Sequence, residues 1–386
     1  MNPRGSKLPD VGTTIFTIIS RRAQELGAVN LGQGFPDYPI DPLLTGLVTQ
    51  AMRDGHNQYA PMAGVPALME QIAMHLQRRH GTAVDPQQRI TITLGATEGI
   101  FSAIAALAGP GDEVMVFDPS YDSYDPAVRV AGARCVHVPL LPPLFRYDWD
   151  RVRAAVTPRT RLVVINTPHN PACTVMSADD LAQLAVLAEE YDLVVLSDEV
   201  YEHLVYPDAR HHSVLAHSGL RERALAVYSF GKSLHATGLR VGYCVAPPRL
   251  TTELRKVHQF NTFSVSTAFQ HAIAGYLAAK PGVFDELPHF FARKRQLLTD
   301  GLAASAFRVL PAQGTYFTLV DYASCGLLAG LDDAAAASVL LEQGGVACIP
   351  LAPFYREPVK HTLLRLCFAK QDATLAQGLA RLQAVR

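Results

Sequence analysis

The sequence predicts an α/β protein with a mainly parallel central sheet and helices on both faces. Three observations support this prediction. Short segments rich in β-branched residues recur through the middle of the chain, most are apolar almost without interruption, and helical patterns separate several of them. Continuous apolar runs are typical of strands covered on both faces, as in parallel sheets. Regular alternation of strands and helices is typical of α/β domains.

Six segments have the character of such strands. In chain order they are Arg89–Gly95, Glu113–Pro119, Arg161–Pro168, Asp192–Asp198, Ala224–Gly231 and Arg240–Pro247. A clear helical pattern lies between the third and the fourth, over Ser177–Tyr191. Ser177 is the expected N-cap of this helix, and Asp180 lies in its acidic first turn. We therefore expect a crossover helix to join two parallel strands at this point.

The pattern changes after about residue 285. A long helix with a basic face is predicted over 285–304, followed by strands over 314–322 and 361–370 and a helix over 331–345 between them. This order is typical of an α+β unit rather than of alternating α/β structure. We predict a large domain over residues 45–285 and a smaller α+β domain formed by residues 1–44 together with 286–386.

Composition excludes several classes of protein. Of 386 residues, 49% are hydrophobic and 18% charged, which is enough for a large core and unlike a disordered chain. The net charge of −1 predicts neither nucleic-acid nor membrane-surface binding. No apolar run is long enough to span a membrane, and the first residues lack the layout of a signal peptide. The six cysteines form no C-x-x-C pair, and we expect reduced core thiols in a cytoplasmic protein.

Polar segments follow five of the predicted strands. In chain order they read GATEG, DPSYDSY, NTPHNP, SDEVYEH and GKS. Ligands of open α/β sheets bind beyond the carboxyl ends of the strands. Polar loops are common, so one such segment means little, but five together predict a single ligand site at this edge of the sheet.

The segment Gly95–Gly99 has the features of an anion site. It consists largely of small residues and precedes an apolar helical run, so backbone N–H groups and the helix dipole would favour an anion there. Ser229 and Arg240 are suited to the same anion as a hydroxyl donor and a cation. An ordinary strand–helix turn capped by Thr97 remains the alternative. The fingerprints of nucleoside triphosphate and dinucleotide sites are absent from the sequence.

Asp198 ends a strongly apolar strand, where an unpaired carboxylate is costly. Its partner is an arginine or lysine, a metal ion, or a protonated ring nitrogen of a cofactor. No H-x-x-x-H or Cys/His spacing accompanies Asp198, and we expect the histidines of Arg210–His212 to be solvated in a polar loop. We therefore predict no metal. Tyr201 follows closely enough to direct its phenol into the same pocket.

Lys232 follows Ser229 just beyond another predicted strand. A free lysine with its ordinary pKa near 10.4 is neutral in only about one molecule in 2,500 at pH 7, so a nucleophilic lysine must be activated or held as an imine. Taken alone, Lys232 is best interpreted as an ordinary surface lysine. Together with the anion site and the isolated Asp198 it indicates pyridoxal phosphate, whose aldehyde, ring nitrogen and phosphate match the three features.

With these motifs in place, the chain resembles the fold-type I pyridoxal-phosphate aminotransferases of class I and II. The resemblance covers nearly the whole chain, and within the family it is strongest to methionine aminotransferases and to the kynurenine aminotransferase/glutamine transaminase K enzymes. The motifs that carry it are NLGQGFPDYP, NQYAPMAGVPALMEQI, NTPHNP, SDEVYEHLVY, SFGKSLHATGLRVGY and LLRLCFAK. The resemblance implies the PLP-transferase fold and pyridoxal 5'-phosphate as the cofactor.

The resemblance also implies roles for individual residues around the cofactor ring. Lys232 would form the imine with the cofactor and later move a proton between the substrate Cα and the cofactor. Asp198 would pair with the ring nitrogen and keep it protonated. Tyr121 would stack on the ring, and Asn170 and Tyr201 would bind its phenolic oxygen.

The same resemblance assigns the remaining cofactor contacts. The groups that would hold the phosphate are Ala96, Thr97, Ser229 and Arg240. Asn166 would line the ring pocket. Tyr59 would reach the phosphate of the neighbouring subunit, which implies a homodimer with shared sites. Arg240 stands where several relatives have lysine, and either cation suits a phosphate.

For the substrate, the resemblance implies that Arg365 clamps the α-carboxylate, assisted by the Gly34 backbone and by Asn170. Apolar and aromatic walls of the side-chain pocket are expected from Ile15, Phe16 and Phe260. No second arginine is evident for an acidic side chain, so we expect neutral L-amino acids of the methionine, aromatic, glutamine or kynurenine type.

The function expected from the sequence is transfer of an amino group to a 2-oxo acid by a ping-pong mechanism. Two alternatives stay open at this point. The first is a lyase acting on cysteine S-conjugates with the same cofactor. The second is a non-catalytic regulator on the same fold, which would carry an added DNA-binding domain. No helix-turn-helix pattern precedes Lys7, which disfavours the regulator.

Overall fold

The computed structural model describes residues 5–385. Its strands fall into three sheets. In chain order the strands are β1 (Val29–Asn30), β2 (Ile90–Thr93), β3 (Glu113–Asp118), β4 (Arg134–Pro139), β5 (Thr160–Asn166), β6 (Val194–Asp198), β7 (Ala224–Ser229), β8 (Gly242–Val245), β9 (Arg308–Val309), β10 (Phe317–Asp321), β11 (Val346–Ala347), β12 (Ile349–Pro350) and β13 (Leu363–Cys367).

The helices are distributed along the whole of this range. In chain order they are α1 (Ile15–Glu25), α2 (Pro42–Arg53), α3 (Pro66–His80), α4 (Pro86–Arg89), α5 (Gly95–Leu107), α6 (Tyr124–Ala131), α7 (Trp149–Ala155), α8 (Ala178–Glu190), α9 (Phe230–Ser233), α10 (Pro248–Asn261), α11 (Thr267–Ala279), α12 (Leu287–Leu302), α13 (Asp333–Glu342) and α14 (Asp372–Ala384). The crossover helix expected between two parallel strands is α8. Ser177 caps it, and the Asp180 side chain completes a capping box.

The largest sheet has seven strands in the order β2-β8-β7-β6-β5-β3-β4. Strand β8 runs antiparallel to both of its neighbours, and the other pairs are parallel. All six strands predicted from the sequence are present in it, which confirms the mainly parallel sheet. The strand β4 was not predicted because it lies at the edge and is only partly buried.

Helices cover both faces of this sheet. On β3, Val114 and Val116 pack in one hydrophobic cluster, with α5, α6 and α10. The alternate residues Met115 and Phe117 pack in another, which includes α3, α8 and α11. Because successive strand residues point to opposite faces, a strand buried between two helical layers is apolar at nearly every position.

The last quarter of the chain builds a four-stranded sheet in the order β12-β13-β10-β9, with antiparallel pairs. The predicted long helix is α12, and α13 lies between β10 and β13 in the chain. The N-terminal segment adds β1, which pairs in parallel with β11. The change from α/β to α+β structure is therefore confirmed, whereas the domain limits at residues 44/45 and 285/286 stay a prediction.

The cysteines are placed as the sequence indicated. All six are free thiols. Five of them are buried, and the sixth, Cys135, is only partly buried. Over residues 5–385, no helix combines the length and the apolar character needed to cross a bilayer.

Candidate active site

A cavity of about 370 Å³ lies where the parallel strands β5, β6 and β7 end. Asn166, Asp198 and Ser229 are the last residues of these three strands, and all three line the cavity. The parallel arrangement brings side chains that are far apart in the sequence to one edge of the sheet. Other predicted site residues in the lining are Phe16, Gly34, Ala96, Thr97, Tyr121, Asn170, Tyr201, Lys232, Arg240 and Arg365.

Lys232 lies on the short helix α9, directly after β7. Its Nζ donates a hydrogen bond to the Gly34 carbonyl at 3.4 Å and lies 5.8 Å and 5.7 Å from the ring centroids of Tyr201 and Tyr316. Burial lowers the pKa of Lys232 to about 8. About one molecule in ten therefore carries a neutral amine at pH 7, roughly two-hundredfold more than for a solvated lysine.

Asp198 is buried and lines the cavity. The Tyr124 hydroxyl donates to Oδ2 at 2.6 Å, and the Val200 backbone N–H donates to Oδ1 at 3.3 Å. Burial raises the pKa of Asp198 to about 6, although these donors and the more distant Lys232 charge oppose the rise. A cation bound in the cavity would favour the ionised carboxylate, since opposite charges attract strongly where solvent is excluded.

The start of α5 forms one end of the cavity. Gly95 has a φ of +74°, and a Cβ atom added there would lie 2.6 Å from Arg240 Nη2. A residue without a side chain is therefore required for the guanidinium to reach the helix start. Arg240 Nη1 donates to the Thr237 carbonyl at 3.0 Å, which fixes the guanidinium. Helix dipole and guanidinium charge together favour an anion here.

Arg365 is among the largest fully buried side chains of residues 5–385. Its Nη1 donates to Asn170 Oδ1 at 2.6 Å and its Nη2 to the Gly32 carbonyl at 3.0 Å, while Nε has no partner. The guanidinium carbon lies 4.0 Å from the centroid of the Phe317 ring. A buried cation with an unused donor is suited to a carboxylate, which accepts hydrogen bonds from a guanidinium pairwise.

Hydrogen bonds connect the Asp198 end of the cavity to the Arg365 end. Asn166 Nδ2 donates to the Asp198 carbonyl at 3.0 Å, and the Asn170 backbone N–H donates to Asn166 Oδ1 at 2.7 Å. Asn170 Oδ1 in turn accepts from Arg365. The two ends of the site are therefore held in a fixed relation by β5 and the loop that follows it.

Three tyrosines act as neutral polar groups around the cavity. Burial raises the pKa of Tyr121 to about 12 and raises those of Tyr201 and Tyr316 further. These phenols therefore keep their protons at neutral pH and can donate hydrogen bonds. The Tyr316 hydroxyl donates to the Gly34 carbonyl at 2.6 Å.

The predicted apolar walls are only partly placed in the cavity. Phe16 lines the cavity. Its ring and that of Phe354 pack edge to face, with their centroids 5.8 Å apart. Ile15 packs instead in the neighbouring cluster that contains Ile19, outside the lining of the cavity. Phe260 is 87% exposed on α10 and does not reach the cavity of its own chain.

Tyr59 likewise lies outside the cavity of its own chain. It is 84% exposed. Its ring and that of Phe263 pack edge to face, with their centroids 5.3 Å apart. Its role at a neighbouring subunit stays a prediction.

Several residues of the site were missed in the sequence. Tyr124, which orients Asp198, lies in the motif DPSYDSY that was chosen for Tyr121. Phe317 lines the cavity but lies in a segment that has only the pattern of a strand, and Tyr316 precedes it. The only sequence signal for Tyr124 was its proximity to Tyr121, and the other two residues carried none.

One expectation was wrong. The loop Arg210–His212 was expected to be solvated, but the His211 side chain is 1% exposed and its Nε2 lies 3.0 Å from Glu199 Oε2. Glu199 is itself buried, so it needs partners of this kind. The loop folds back onto the segment that follows β6, which its composition did not reveal.

Comparison with known proteins agrees with this geometry. The chain is 48% identical over 378 residues to methionine aminotransferase of Escherichia coli, covering 98% of this chain and 97% of the relative. A solved structure of an E. coli protein described as having methionine aminotransferase function has a TM-score of 0.96 and 48% identity, covering 99% and 100% of the two chains. Human kynurenine–oxoglutarate transaminase 1 is 32% identical over 384 residues, or 92% of this chain and 91% of that one.

These relatives are aminotransferases, and nothing in their names supports the lyase alternative. The family model for aminotransferase class I and II matches residues 27–382, which include all the residues that line the cavity except Phe16. The chain therefore belongs to the class I and II aminotransferase family.

Proposed function

We propose that this aminotransferase uses pyridoxal phosphate to move the amino group of a neutral L-amino acid of the methionine type to a 2-oxo acid by a ping-pong mechanism. One observation carries the proposal. A lysine of lowered pKa, a buried aspartate, an anion site at a helix start and a buried arginine with an unused donor all face one cavity. The 48% identity to a methionine aminotransferase supports the choice of substrate.

The cavity fits pyridoxal phosphate at three places. Lys232 offers an amine that is partly neutral at pH 7. Asp198 offers a buried carboxylate, and the start of α5 with Arg240 offers an anion site that only a glycine at position 95 permits. When bound, the cofactor supplies an electrophilic carbon for the amine and a ring that withdraws electrons from the substrate Cα.

The residues around the ring then have distinct tasks. Lys232 Nζ would hold the cofactor and, once released from it, would take the proton from the substrate Cα and deliver it to the cofactor, as its lowered pKa allows. Asp198 would pair with the ring nitrogen and keep it protonated, while Tyr124 keeps the carboxylate in position. Tyr201 and Asn170 would bind the phenolic oxygen, and Tyr121 would pack on the ring.

Substrate selection follows from the charges of the cavity. The cations among its described lining residues are Lys232, Arg240 and Arg365, and each already has a task. Arg365 binds the α-carboxylate, with Asn170 and the Gly34 backbone beside it. With no further cation to meet an acidic side chain, the site favours neutral substrates, whose side chains meet the aromatic residues Phe16, Phe35 and Phe317.

We further propose a cytoplasmic homodimer in which Tyr59 completes the site of the neighbouring subunit. The exposure of Tyr59, Phe260 and Phe263 supports this, because large exposed aromatic side chains are typical of interfaces. The proposed division into a large domain of 45–285 and a small domain of 1–44 with 286–386 places the site between them. Gly34 and Arg365 then come from the small domain and Lys232 from the large one.

A panel of amino donors tests the function. The holoenzyme is mixed with methionine, phenylalanine, glutamine, kynurenine or aspartate without any 2-oxo acid, and formation of the pyridoxamine form is followed by absorbance. Methionine should convert the cofactor in a single turnover and aspartate should do so far more slowly. Failure of methionine to form the pyridoxamine form would refute the proposal, and conversion by aspartate alone would refute the substrate class.

A further inference from the structure

A second group of ionisable side chains is buried beside the active-site cavity. Glu199, Glu202 and His203 belong to the same segment as Asp198 and Tyr201, but they are not among the residues that line the cavity. His75 and His80, both on α3, contact Glu202, and His211 contacts Glu199. No task in the proposed reaction requires these groups.

His75 stands out within this group, in which His211 Nδ1 is also without a hydrogen-bond partner. It is only 7% exposed, and neither Nδ1 nor Nε2 has a hydrogen-bond partner. Its Nε2 lies 3.9 Å from Glu202 Oε1, too far for a hydrogen bond. Buried polar groups are nearly always satisfied, and one that is not suggests a missing water or ion.

The positions of its neighbours fit an ion better than a hydrogen-bond network. His203 Nε2 lies 3.1 Å from Glu202 Oε1, and the ligand atoms of His75, Glu202 and His203 all lie within 4.8 Å of one another. Two ligands held at about 2.1 Å by one tetrahedral ion are about 3.4 Å apart. The three atoms therefore approach the spacing that a single bound ion imposes.

We propose that His75, Glu202 and His203 form a binding site for a divalent transition-metal ion such as Zn²⁺. Two imidazoles and one carboxylate form a donor set that such ions prefer. This departs from the expectation of a chain without metal, which rested on the absence of close His/Cys spacing. The ligands come from α3 and from the segment after β6, so spacing along the chain could not reveal the site.

The surroundings support a bound cation. The carboxylates of Glu199 and Glu202 are both buried and lie near one another. One oxygen from each and one ring nitrogen of His211 all lie within 4.8 Å of one another. His80 Nε2 lies 2.9 Å from Glu202 Oε2, the oxygen that the other two ligands leave free. Contacts of this kind from outside the ligand set orient metal-binding carboxylates.

A cavity lies beside His80 and His211, the outer members of the group. It has a volume of about 560 Å³ and is lined by these two histidines together with more exposed residues such as His212 and His217. An ion bound at His75 would join α3 to the segment that carries Asp198 and Tyr201. The ion would stabilise the position of that segment in the active site and would take no part in the reaction.

Metal uptake by the holoenzyme tests the proposal. Protein stripped with a chelator is titrated with Zn²⁺ by calorimetry and with Co²⁺ by visible absorption, and its melting temperature is measured with and without Zn²⁺. We expect one ion per chain, a Co²⁺ spectrum of low coordination number and a higher melting temperature with Zn²⁺. Absence of uptake by the stripped wild-type protein would overturn the site.

The variant His75→Leu separates this site from adventitious binding. Because His75 makes no hydrogen bond, the metal-free variant should be at least as stable as metal-free wild type, yet it should bind Zn²⁺ at least about tenfold more weakly. His212→Ala, which removes a partly exposed histidine outside the group, should bind like wild type. Unchanged binding by His75→Leu, or equal loss in both variants, would contradict the assignment.

Discussion

The properties of Lys232 follow from its surroundings rather than from its chemistry alone. The same side chain in water would be almost fully protonated at neutral pH, whereas burial lowers its pKa to about 8. The shift arises because charging an amine away from water is costly and because Arg240 and Arg365 repel a further cation. The lysine is thereby made reactive by its position in the fold.

The pH dependence of cofactor attachment should report this shift. The neutral amine is the reactive form, and its fraction rises as pH increases through the lowered pKa. The rate at which apoenzyme attaches pyridoxal phosphate, followed by absorbance, should therefore increase with pH and level off above about pH 9, with a midpoint near 8. A midpoint near 10.5 would show that Lys232 behaves like a solvated lysine.

Replacement of Arg365 by alanine should weaken substrate binding. The variant loses charge-assisted hydrogen bonds to the α-carboxylate, each worth about 1.5–3 kcal/mol, so KM for methionine should rise roughly 10- to 150-fold per bond lost. Steady-state kinetics provide the measurement, with methioninamide as control because it lacks the carboxylate. Equal effects of the substitution on both substrates would argue against a carboxylate contact.

Among the elements, α5 shows how a helix start is adapted to an anion. The helix begins at Gly95, whose positive φ and missing side chain admit the Arg240 guanidinium. The strand that precedes α5 is β2. It pairs with β8, the strand that follows Arg240 in the chain. The anion site therefore depends on strand pairing as well as on the helix itself.

The variant Gly95→Ala should lose cofactor affinity. A left-handed conformation costs a residue with a side chain about 1–2 kcal/mol, and the new methyl group would displace Arg240. We expect a lower melting temperature and roughly tenfold weaker retention of pyridoxal phosphate, as for one lost charged hydrogen bond. Gly109→Ala is the matched control, because a Cβ there would contact nothing. Cofactor retention as strong as that of the control would contradict the role of Gly95.

At the scale of the whole molecule, the proposed dimer makes a distinct prediction. If Tyr59 acts in the neighbouring site, a dimer of one Tyr59→Ala chain and one Lys232→Ala chain contains one intact site and one doubly altered site. Co-expressed and purified through two different tags, this mixed dimer should be more active than the mean of the two parent variants. Activity at or below that mean would place Tyr59 outside the partner's site.

How much the sequence revealed depended on how local the signal was. The six strands of the main sheet and the capped helix α8 were predicted, because an apolar run or a Ser-x-x-Asp start is readable within a few residues. The edge strand β4 was not, since half-exposed strands lack that signal. Phe317 gave no signal because its contact with Arg365 joins two strands that are paired only in the fold.

By itself, the sequence determined the fold class and singled out Lys232 and Asp198 as candidate central groups, whereas Arg365 was implied by the family resemblance. The charges of Lys232 and Asp198 next to apolar strands are unusual enough to stand out. Only the tertiary structure decided which side chains surround them, and therefore the pKa shifts, the Tyr124 contact and the burial of His211. It alone also assembled His75 with Glu202 and His203. Desolvation and contact distances depend on neighbours distant in the chain, which no local pattern encodes.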